Sequence, residues 1–192
     1  MEIRRSEQQK PPSWSGRRGM NVPEHKWGSP NLVNLSNMVR YHALRSPDRE
    51  AILYDGRKIT YGMLQRRVEK VAAWLAASRV EPDDIVAVLM KNSSAFLEIS
   101  IAVSYVGAVF LPINFRLSAD EVDFICKDAG ARLLIVDEEL QDRCGRVCDV
   151  IVLPARAQAD STLLCGRDEA VVPPVRRRPD DLFRLMYTSW HH

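Results

Sequence analysis

Two short apolar runs constrain the fold more than any other feature of this sequence. The stretches "IVAVLM" (85–90) and "RLLIVD" (132–137) lack polar alternation, and segments of helical periodicity lie between them. A strand without alternation is typical of a sheet that helices cover on both faces. Strands that alternate with helices favour a parallel sheet joined by right-handed crossovers. The sequence therefore predicts an α/β fold with a mostly parallel sheet flanked by helices.

Turn and capping residues predict the elements around these runs. The stretch "AILYDGRKIT" (51–60) predicts a hairpin with Asp55 and Gly56 in its turn. Thr60 is a suitable N-cap for the next helix. Four apolar residues at helical spacing form the predicted inner face of that helix: Leu64, Val68, Val71 and Leu75.

The remaining elements follow from the same signals. Further predicted strands cover 109–112, 150–153 and 182–187, and further predicted helices cover 35–44, 94–107 and 118–128. The last of these helices begins with an S-x-x-E capping box formed by Ser118 and Glu121, and Gly130 is positioned to cap its end. The charged run 176–178 is expected to be a solvated loop.

Composition and charge exclude several classes of function. Apolar residues make up 46% and charged residues 27% of the chain, ordinary values for a globular protein. The net charge is only +2 and no basic stripe carries interleaved aromatic residues, so nucleic acid is not an expected partner. The longest apolar stretch (95–113) is interrupted by Glu98, Gly107 and Pro112, so no transmembrane segment is expected. Without a secretory signal, the protein is expected to be cytoplasmic.

The four cysteines do not form a recognisable metal set. Only Cys144 and Cys148 lie close in sequence, as C-x-x-x-C, and no second pair or histidine cluster completes a zinc site. Reduced thiols in a cytoplasmic protein are therefore expected, and no metal ligand is assigned.

Several stretches, in order, resemble one family of enzymes. "ITYGMLQRRVEKVAAWL" resembles a T-Y-x-x-L helix opening, and "GAVFLPINFRLSADEVDFICKDAGARLLIVDE" resembles G-A-x-x-x-P-x-N-x-R-L-x-x-x-E-[IV]. "LMYTS" resembles the opening of a phosphate-binding loop, Y-T-S-G-T-T-G-x-P-K-G. Together, over 35–189, they resemble the N-terminal region of the adenylate-forming (AMP-binding) enzymes, which include acyl-CoA synthetases, peptide-synthetase adenylation domains and beetle luciferases. The N-x-R-L motif resembles that of the acyl-CoA synthetase branch more than that of the peptide-synthetase branch.

The resemblance implies a reaction and a few site residues. In the intact enzyme, ATP and a carboxylic acid, expected to be a fatty or related acyl acid, give an acyl-adenylate. The acyl group then passes to a thiol such as that of coenzyme A, and magnesium shares the phosphate charge. Thr188 and Ser189 match the first two hydroxyl positions of the loop and are the expected phosphate-binding residues. The alternative is that both merely begin a surface turn.

No catalytic residue is carried over to this chain. Asn114 and Arg116 match the P-x-N-x-R-L segment and are expected to fix the loop after a strand rather than to contact a ligand. Glu98 is expected to face the solvent edge of its helix, the alternative being a buried carboxyl group. His42 lies on a short helix with no expected partner.

The last three residues depart from the family pattern. Where the loop continues Gly-Thr-Thr, this chain has Trp190, His191 and His192. The codons TGG-CAC-CAC, read one base later, encode Gly-Thr-Thr, so a frameshift after Ser189 is the expected origin. The chain then divides into a disordered basic extension (1–31), a truncated N-terminal subdomain of an AMP-binding domain (32–189) and an aberrant terminus (190–192).

The expected function of the chain follows from this division. It is an N-terminal fragment of an acid–CoA ligase, inactive as it stands, that self-associates through an unpaired sheet edge. The alternatives are a non-catalytic module acting by protein contacts, a fragment of a peptide-synthetase adenylation domain and an unrelated α/β nucleotide-binding protein.

Overall fold

A computed structural model describes residues 34–145, 147–165 and 170–188. The predicted extension (1–31), Ser189 and the terminus 190–192 lie outside the described residues. The helices are α1 (Leu35–Arg45), α2 (Tyr61–Ala77), α3 (Ser94–Tyr105) and α4 (Ala119–Ala129). The strands are β1 (Glu50–Tyr54), β2 (Arg57–Thr60), β3 (Ile85–Leu89), β4 (Val109–Pro112), β5 (Leu133–Asp137) and β6 (Asp149–Leu153). Short 3-10 helices cover Glu138–Arg143, Ala155–Ala157 and Ser161–Leu164.

The main sheet is parallel and covered on both faces, as the apolar runs predict. Its strand order is β4-β3-β5-β6, and every neighbouring pair is parallel. On β3, Val86 and Val88 pack into one core beside residues of α2 and α3. Ala87 and Leu89 pack into a second core beside residues of α4. Both faces of β3 are therefore buried, which explains why its sequence has no polar alternation.

The hairpin and its following helix are confirmed. Strands β1 and β2 pair antiparallel, and Asp55 (φ 48°) and Gly56 (φ 70°) are both left-handed, as a two-residue hairpin turn requires. The Thr60 side chain accepts a hydrogen bond from the Met63 amide at 3.3 Å. The predicted inner face of α2 is at most 3% exposed at each of its four positions.

The capping of α4 is also confirmed. The Ser118 amide donates to Glu121 Oε2 at 2.8 Å, and the Glu121 amide donates to Ser118 Oγ at 3.4 Å. The hydrogen bond from the Ser118 amide lowers the pKa of Glu121. Gly130 ends the helix in the left-handed region (φ 70°), where a Cβ is disfavoured.

Polar and aromatic contacts, rather than the apolar stripe, position α1. Of its apolar residues only Val39 is buried, whereas Met38 is 63% and Leu44 76% exposed. The buried Asn34 side chain instead caps the helix and donates to the Ser104 carbonyl oxygen of α3 at 2.6 Å. The expectation that His42 lacks a partner is wrong, because its ring stacks on Tyr61 with centroids 4.7 Å apart.

Within the described ranges, no helix has the length and hydropathy needed to cross a bilayer. The long apolar stretch (95–113) instead forms most of α3 and all of β4.

Candidate functional site

The segment 182–188 lies along the outer edge of β4, and its predicted strand is wrong as a regular element. A single parallel bridge joins Arg184 to Phe110. The Phe110 amide donates to the Phe183 carbonyl oxygen, and the Leu185 amide donates to the Phe110 carbonyl oxygen, both at 3.0 Å. An apolar run predicts an extended backbone, but a β-strand also needs a series of backbone hydrogen bonds to a neighbouring strand. Here only Phe110 of β4 exchanges these hydrogen bonds with the segment.

One buried arginine holds the start of this segment. Arg177 is 8% exposed, and its Nη2 donates to the Leu182 carbonyl oxygen at 3.0 Å and to Asp83 Oδ1 at 2.6 Å. Its Nε lies 3.6 Å from an Asp181 carboxylate oxygen. The expectation that 176–178 is simply solvated is therefore wrong for Arg177, because two carboxylates and a carbonyl oxygen compensate its burial. Arg176 and Arg178 are exposed.

A tyrosine holds the other end of the segment on α4. The Tyr187 hydroxyl donates to Asp128 Oδ2 at 2.6 Å, and its ring packs with Leu185 against the second core. Burial, together with the Asp128 carboxylate, raises the pKa of Tyr187 to about 12. The phenol is therefore neutral at physiological pH and remains the donor in its hydrogen bond to the Asp128 carboxylate.

Thr188 follows this anchor directly and is exposed. Because the segment runs parallel to β4, Thr188 lies at the sheet edge where the strands have their carboxyl ends. Ligands of open α/β sheets bind at this edge. The exposed hydroxyl group fits one contact to a phosphate oxygen. Its predicted companion, Ser189, lies outside the described residues.

The loop after β4 lies at the same edge. Asn114 Oδ1 accepts a hydrogen bond from the Arg116 amide at 3.0 Å, and the Asn114 carbonyl oxygen accepts from the Leu117 amide at 3.1 Å. The Arg116 guanidinium lies 5.5 Å from the Phe115 ring centroid. The predicted role of Asn114 in fixing this loop is confirmed.

The burial of an aspartate at the end of β5 was not predicted from the sequence. Asp137 is fully buried, and its Oδ2 accepts a hydrogen bond from the Lys91 amide at 2.8 Å. Burial raises the pKa of this carboxyl group, although hydrogen bonds from the Lys91 amide and the Gln158 side chain oppose the shift. Lys91 Nζ instead pairs with Glu139 at 2.7 Å. The one available signal was a terminal acidic residue on an otherwise apolar strand.

The expected exposure of Glu98 is wrong. Its side chain is fully buried and pairs with Arg67 at 2.9 Å, and it also accepts from the amide and hydroxyl of Ser161. The 3-10 helix Ser161–Leu164 covers this part of α3, a contact that no local pattern indicates.

An open cleft of about 310 Å³ borders this ion pair, lined by Met63, Arg66, Arg67, Lys70, Asp160 and Thr162. The Arg67 charge is already compensated by two carboxylates, because this residue pairs with Asp160 at 3.4 Å as well as with Glu98. The cleft adjoins α2, which contributes to the first core, whereas Tyr187 packs against the second. The cleft and the Tyr187 anchor therefore lie on opposite faces of the sheet.

The arrangement defines a class of protein before it defines a family. It is an open α/β domain whose exposed hydroxyl group lies at the carboxyl edge of parallel strands, as in many proteins that bind phosphate-bearing ligands. The particular family follows from comparison with known proteins. Residues 39–189 match the family described as AMP-binding enzyme, and the chain belongs to this adenylate-forming family.

Individual relatives agree with this assignment. Feruloyl-CoA synthase of Amycolatopsis sp is 38% identical over 147 residues, covering 77% of this chain and 29% of the relative. Surfactin synthase subunit 1 of Bacillus subtilis (strain 168) is 29% identical over 177 residues, covering 92% of this chain and 5% of the relative. The solved Mycobacterium tuberculosis fatty acyl CoA synthetase superposes with a TM-score of 0.69 at 29% identity, covering 81% of this chain and 32% of that one. The chain thus spans less than a third of either CoA-dependent relative.

Proposed function

We propose that this chain is the N-terminal part of a cytoplasmic, ATP-dependent acid–CoA ligase that acts on a fatty or related carboxylic acid. The observation that carries the proposal is the position of Thr188. The hydroxyl group that matches the family's phosphate loop is exposed at the carboxyl edge of the sheet and follows an anchored residue, Tyr187.

In such a ligase, the substrate carboxylate attacks the α-phosphorus of ATP and pyrophosphate leaves. The thiol of coenzyme A then attacks the acyl carbon and AMP leaves. Thr188 and Ser189 would hold oxygens of the departing phosphates through their hydroxyl groups, since donors placed where charge develops stabilise a transition state. Magnesium, when bound, would neutralise part of this charge. Tyr187 would keep Thr188 in register by its hydrogen bond to α4.

Two relatives favour different acyl acceptors. The higher identity to feruloyl-CoA synthase supports coenzyme A. The longer match to surfactin synthase subunit 1 favours the second candidate, an adenylation domain whose acceptor is a carrier-bound thiol. Release of AMP that depends on added coenzyme A would support the first candidate and count against the second.

We further propose that the 192-residue chain does not itself activate an acid. Trp190, His191 and His192 stand where the loop pattern has Gly, Thr and Thr. Glycine lets backbone amides approach a phosphate closely, and an indole side chain at that position prevents the same approach.

An ATP–pyrophosphate exchange assay tests both proposals. The full-length gene product with the Y-T-S-G-T-T loop should exchange with at least one of a panel of short, long and aromatic carboxylic acids. Its T188A variant should lose about tenfold or more, as expected for loss of one donor to a developing charge. No exchange across the panel would refute the ligase assignment. Exchange by the 192-residue chain above the rate without enzyme would refute its inactivity.

The alternative for this chain is a module that acts through protein contacts or self-association. It is supported by the outer side of the segment beside β4, where Leu182 is 52%, Phe183 55% and Met186 64% exposed. Sedimentation of the chain over a range of concentrations distinguishes a self-associating species from a monomer.

A further inference from the structure

The cleft between α2 and the 3-10 helix Ser161–Leu164 has more positive charge than its own wall neutralises. Three cationic side chains and one carboxylate, that of Asp160, line it. Its volume of about 310 Å³ lies at the lower end of the range for small-ligand pockets, about 300–1,000 Å³. The proposed ligase reaction uses none of the residues that line this cleft.

One side of the cleft is a fixed network of hydrogen bonds. Arg67 Nη1 donates to Glu98 Oε1 and to the Ala159 carbonyl oxygen, both at 2.9 Å. Asp160 Oδ1 accepts from the amide and hydroxyl groups of Thr162 at 3.0 and 2.6 Å. Asp160 Oδ2 lies 3.4 Å from Arg67 Nη2. Both oxygens of the carboxylate that lines the cleft therefore have partners already, and so does the Arg67 guanidinium.

The other side of the cleft has two cations without a partner. Arg66 and Lys70 are exposed and lie about one turn apart on α2. In the part of the chain that the structure describes, neither side chain forms a hydrogen bond or an ion pair. Glu69 instead accepts a hydrogen bond from Gln65 Nε2 at 2.7 Å. Because like charges at this spacing destabilise a helix, an anion bound between them would remove an unfavourable contact.

The fixed network sets the shape of the cleft before any ligand arrives. Glu98 is fully buried, and its Oε2 accepts from the Ser161 amide at 3.0 Å, so the 3-10 helix is held against α3. The Arg67 side chain joins α2 to the same network. A ligand would therefore have to order only the side chains of Arg66 and Lys70, which limits the entropy lost on binding.

We propose that this cleft is a binding site for a small phosphate monoester, independent of the proposed ligase reaction. A phosphate monoester has a charge of about −2 near neutral pH, which matches the two unpaired cations. The Arg66 guanidinium can donate two parallel hydrogen bonds to a phosphate group, and the Lys70 ammonium adds a second positive charge. Met63, which also lines the cleft, provides apolar surface for the organic group of the ester.

A nuclear magnetic resonance titration of the 192-residue chain tests the site. The probe is phenyl phosphate, added to isotope-labelled protein at constant pH and ionic strength. Saturable shifts of backbone amide signals are expected within 63–70 and 160–162. No saturable shift there up to about 10 mM probe would overturn the proposal. Inorganic phosphate should bind more weakly than the probe, and equal affinity would overturn the assignment of an ester.

Paired variants show whether the two cations are responsible. R66Q/K70Q should fold, because both side chains are exposed. It should bind the probe about tenfold or more weakly, because it lacks both donors of charge-assisted hydrogen bonds. R40Q/R176Q removes the same net charge from exposed positions that do not line the cleft, and it should bind as the wild type does. Wild-type affinity in R66Q/K70Q, or equal weakening by both pairs, would refute the proposal.

The variant T188A separates this site from the sheet edge. It should retain the affinity for the probe, because Thr188 does not line the cleft. Loss of binding in T188A would place the probe at the sheet edge and overturn the proposal. Since the titration does not depend on activation of an acid, a failure of the ligase assignment would leave these expected results unchanged.

Discussion

Replacing Arg67 by methionine should destabilise the chain, because it leaves a buried carboxylate without its cation. The variant R67M keeps most of the apolar side-chain stem but removes the cation 2.9 Å from Glu98. Glu98 is fully buried and would retain only the two donors of Ser161. An uncompensated buried charge costs about 3–5 kcal/mol. Arg67 is 17% exposed, so water reaches part of the site and the lower end, about 3 kcal/mol, is expected.

Urea denaturation, followed by circular dichroism, measures this loss. With a slope of about 2 kcal/mol/M, a loss of about 3 kcal/mol lowers the midpoint by about 1.5 M. The matched control is R66M, because Arg66 is the exposed neighbour on the same helix and its replacement should cost less than about 0.5 kcal/mol.

A double variant isolates the charge itself. R67M/E98M removes both ions, so it should recover at least about 1 kcal/mol relative to R67M. The reasoning would be refuted if R67M unfolded within about 1 kcal/mol of R66M. It would also be refuted if the double variant lost as much stability as the two single variants added together. In that case the unpaired Glu98 charge would not be the cause of the loss in R67M.

Four further predictions concern anchors and caps. Y187F should lower the free energy of unfolding by about 1 kcal/mol through loss of one hydrogen bond, and in the wild type an ultraviolet titration should show one phenol ionising near pH 12. E121Q should lower the thermal midpoint at neutral pH. Since folding lowers the pKa of Glu121, the carboxylate contributes stability above its unfolded pKa and loses it as pH falls, so the difference should vanish in acid. G130A should cost about 1 kcal/mol for its left-handed φ alone, whereas G107A should cost clearly more, because its Cβ would also meet a valine side chain at 2.7 Å. M186S should reduce concentration-dependent sedimentation of the chain if the exposed outer side of the segment mediates self-association.

Contrary outcomes are equally specific. An unchanged unfolding midpoint in Y187F would mean that the packing of the ring alone anchors the segment. A constant effect of E121Q across pH would exclude its charge as the cause. Equal losses in G130A and G107A would mean that the close approach at Gly107 relaxes freely. Unchanged sedimentation of M186S would place any association interface elsewhere.

Local signals predicted most of the fold because the residues responsible act on their own neighbours. Ser118 and Glu121 satisfy each other's amide groups three residues apart, and Asp55 and Gly56 adopt a turn that few other residues allow. The doubly buried strand β3 was equally visible, since burial on both faces removes polar alternation from the sequence itself.

Contacts between distant segments were not visible in the same way. Glu98 and Ser161 are far apart in sequence, and nothing around Glu98 indicates that a 3-10 helix covers it. Arg177 sits within a charged run that is typical of a solvated loop, yet its guanidinium is enclosed by groups from two other segments. In each case a polar residue is buried because a distant partner compensates it, and the identity of that partner depends on the whole fold.

The candidate site shows the same division. The motif around Thr188 indicated a phosphate loop, and the exposure of Thr188 at the carboxyl edge agrees with that location. The anchor of Tyr187 on Asp128 depends on how α4 lies against the sheet, which the motif does not encode.

The single bridge between Arg184 and Phe110 has a consequence for how the site can be tuned. With one bridge in its middle and side-chain anchors near both ends, the segment 182–188 is positioned mainly by side chains, not by a continuous ladder. Thr188 therefore follows α4, through Tyr187 and Asp128, more closely than it follows the strands. A substitution that rotates α4 by a few degrees would displace this hydroxyl group while leaving every strand pairing intact. The geometry of the proposed phosphate contact can thus change without any change in the sheet.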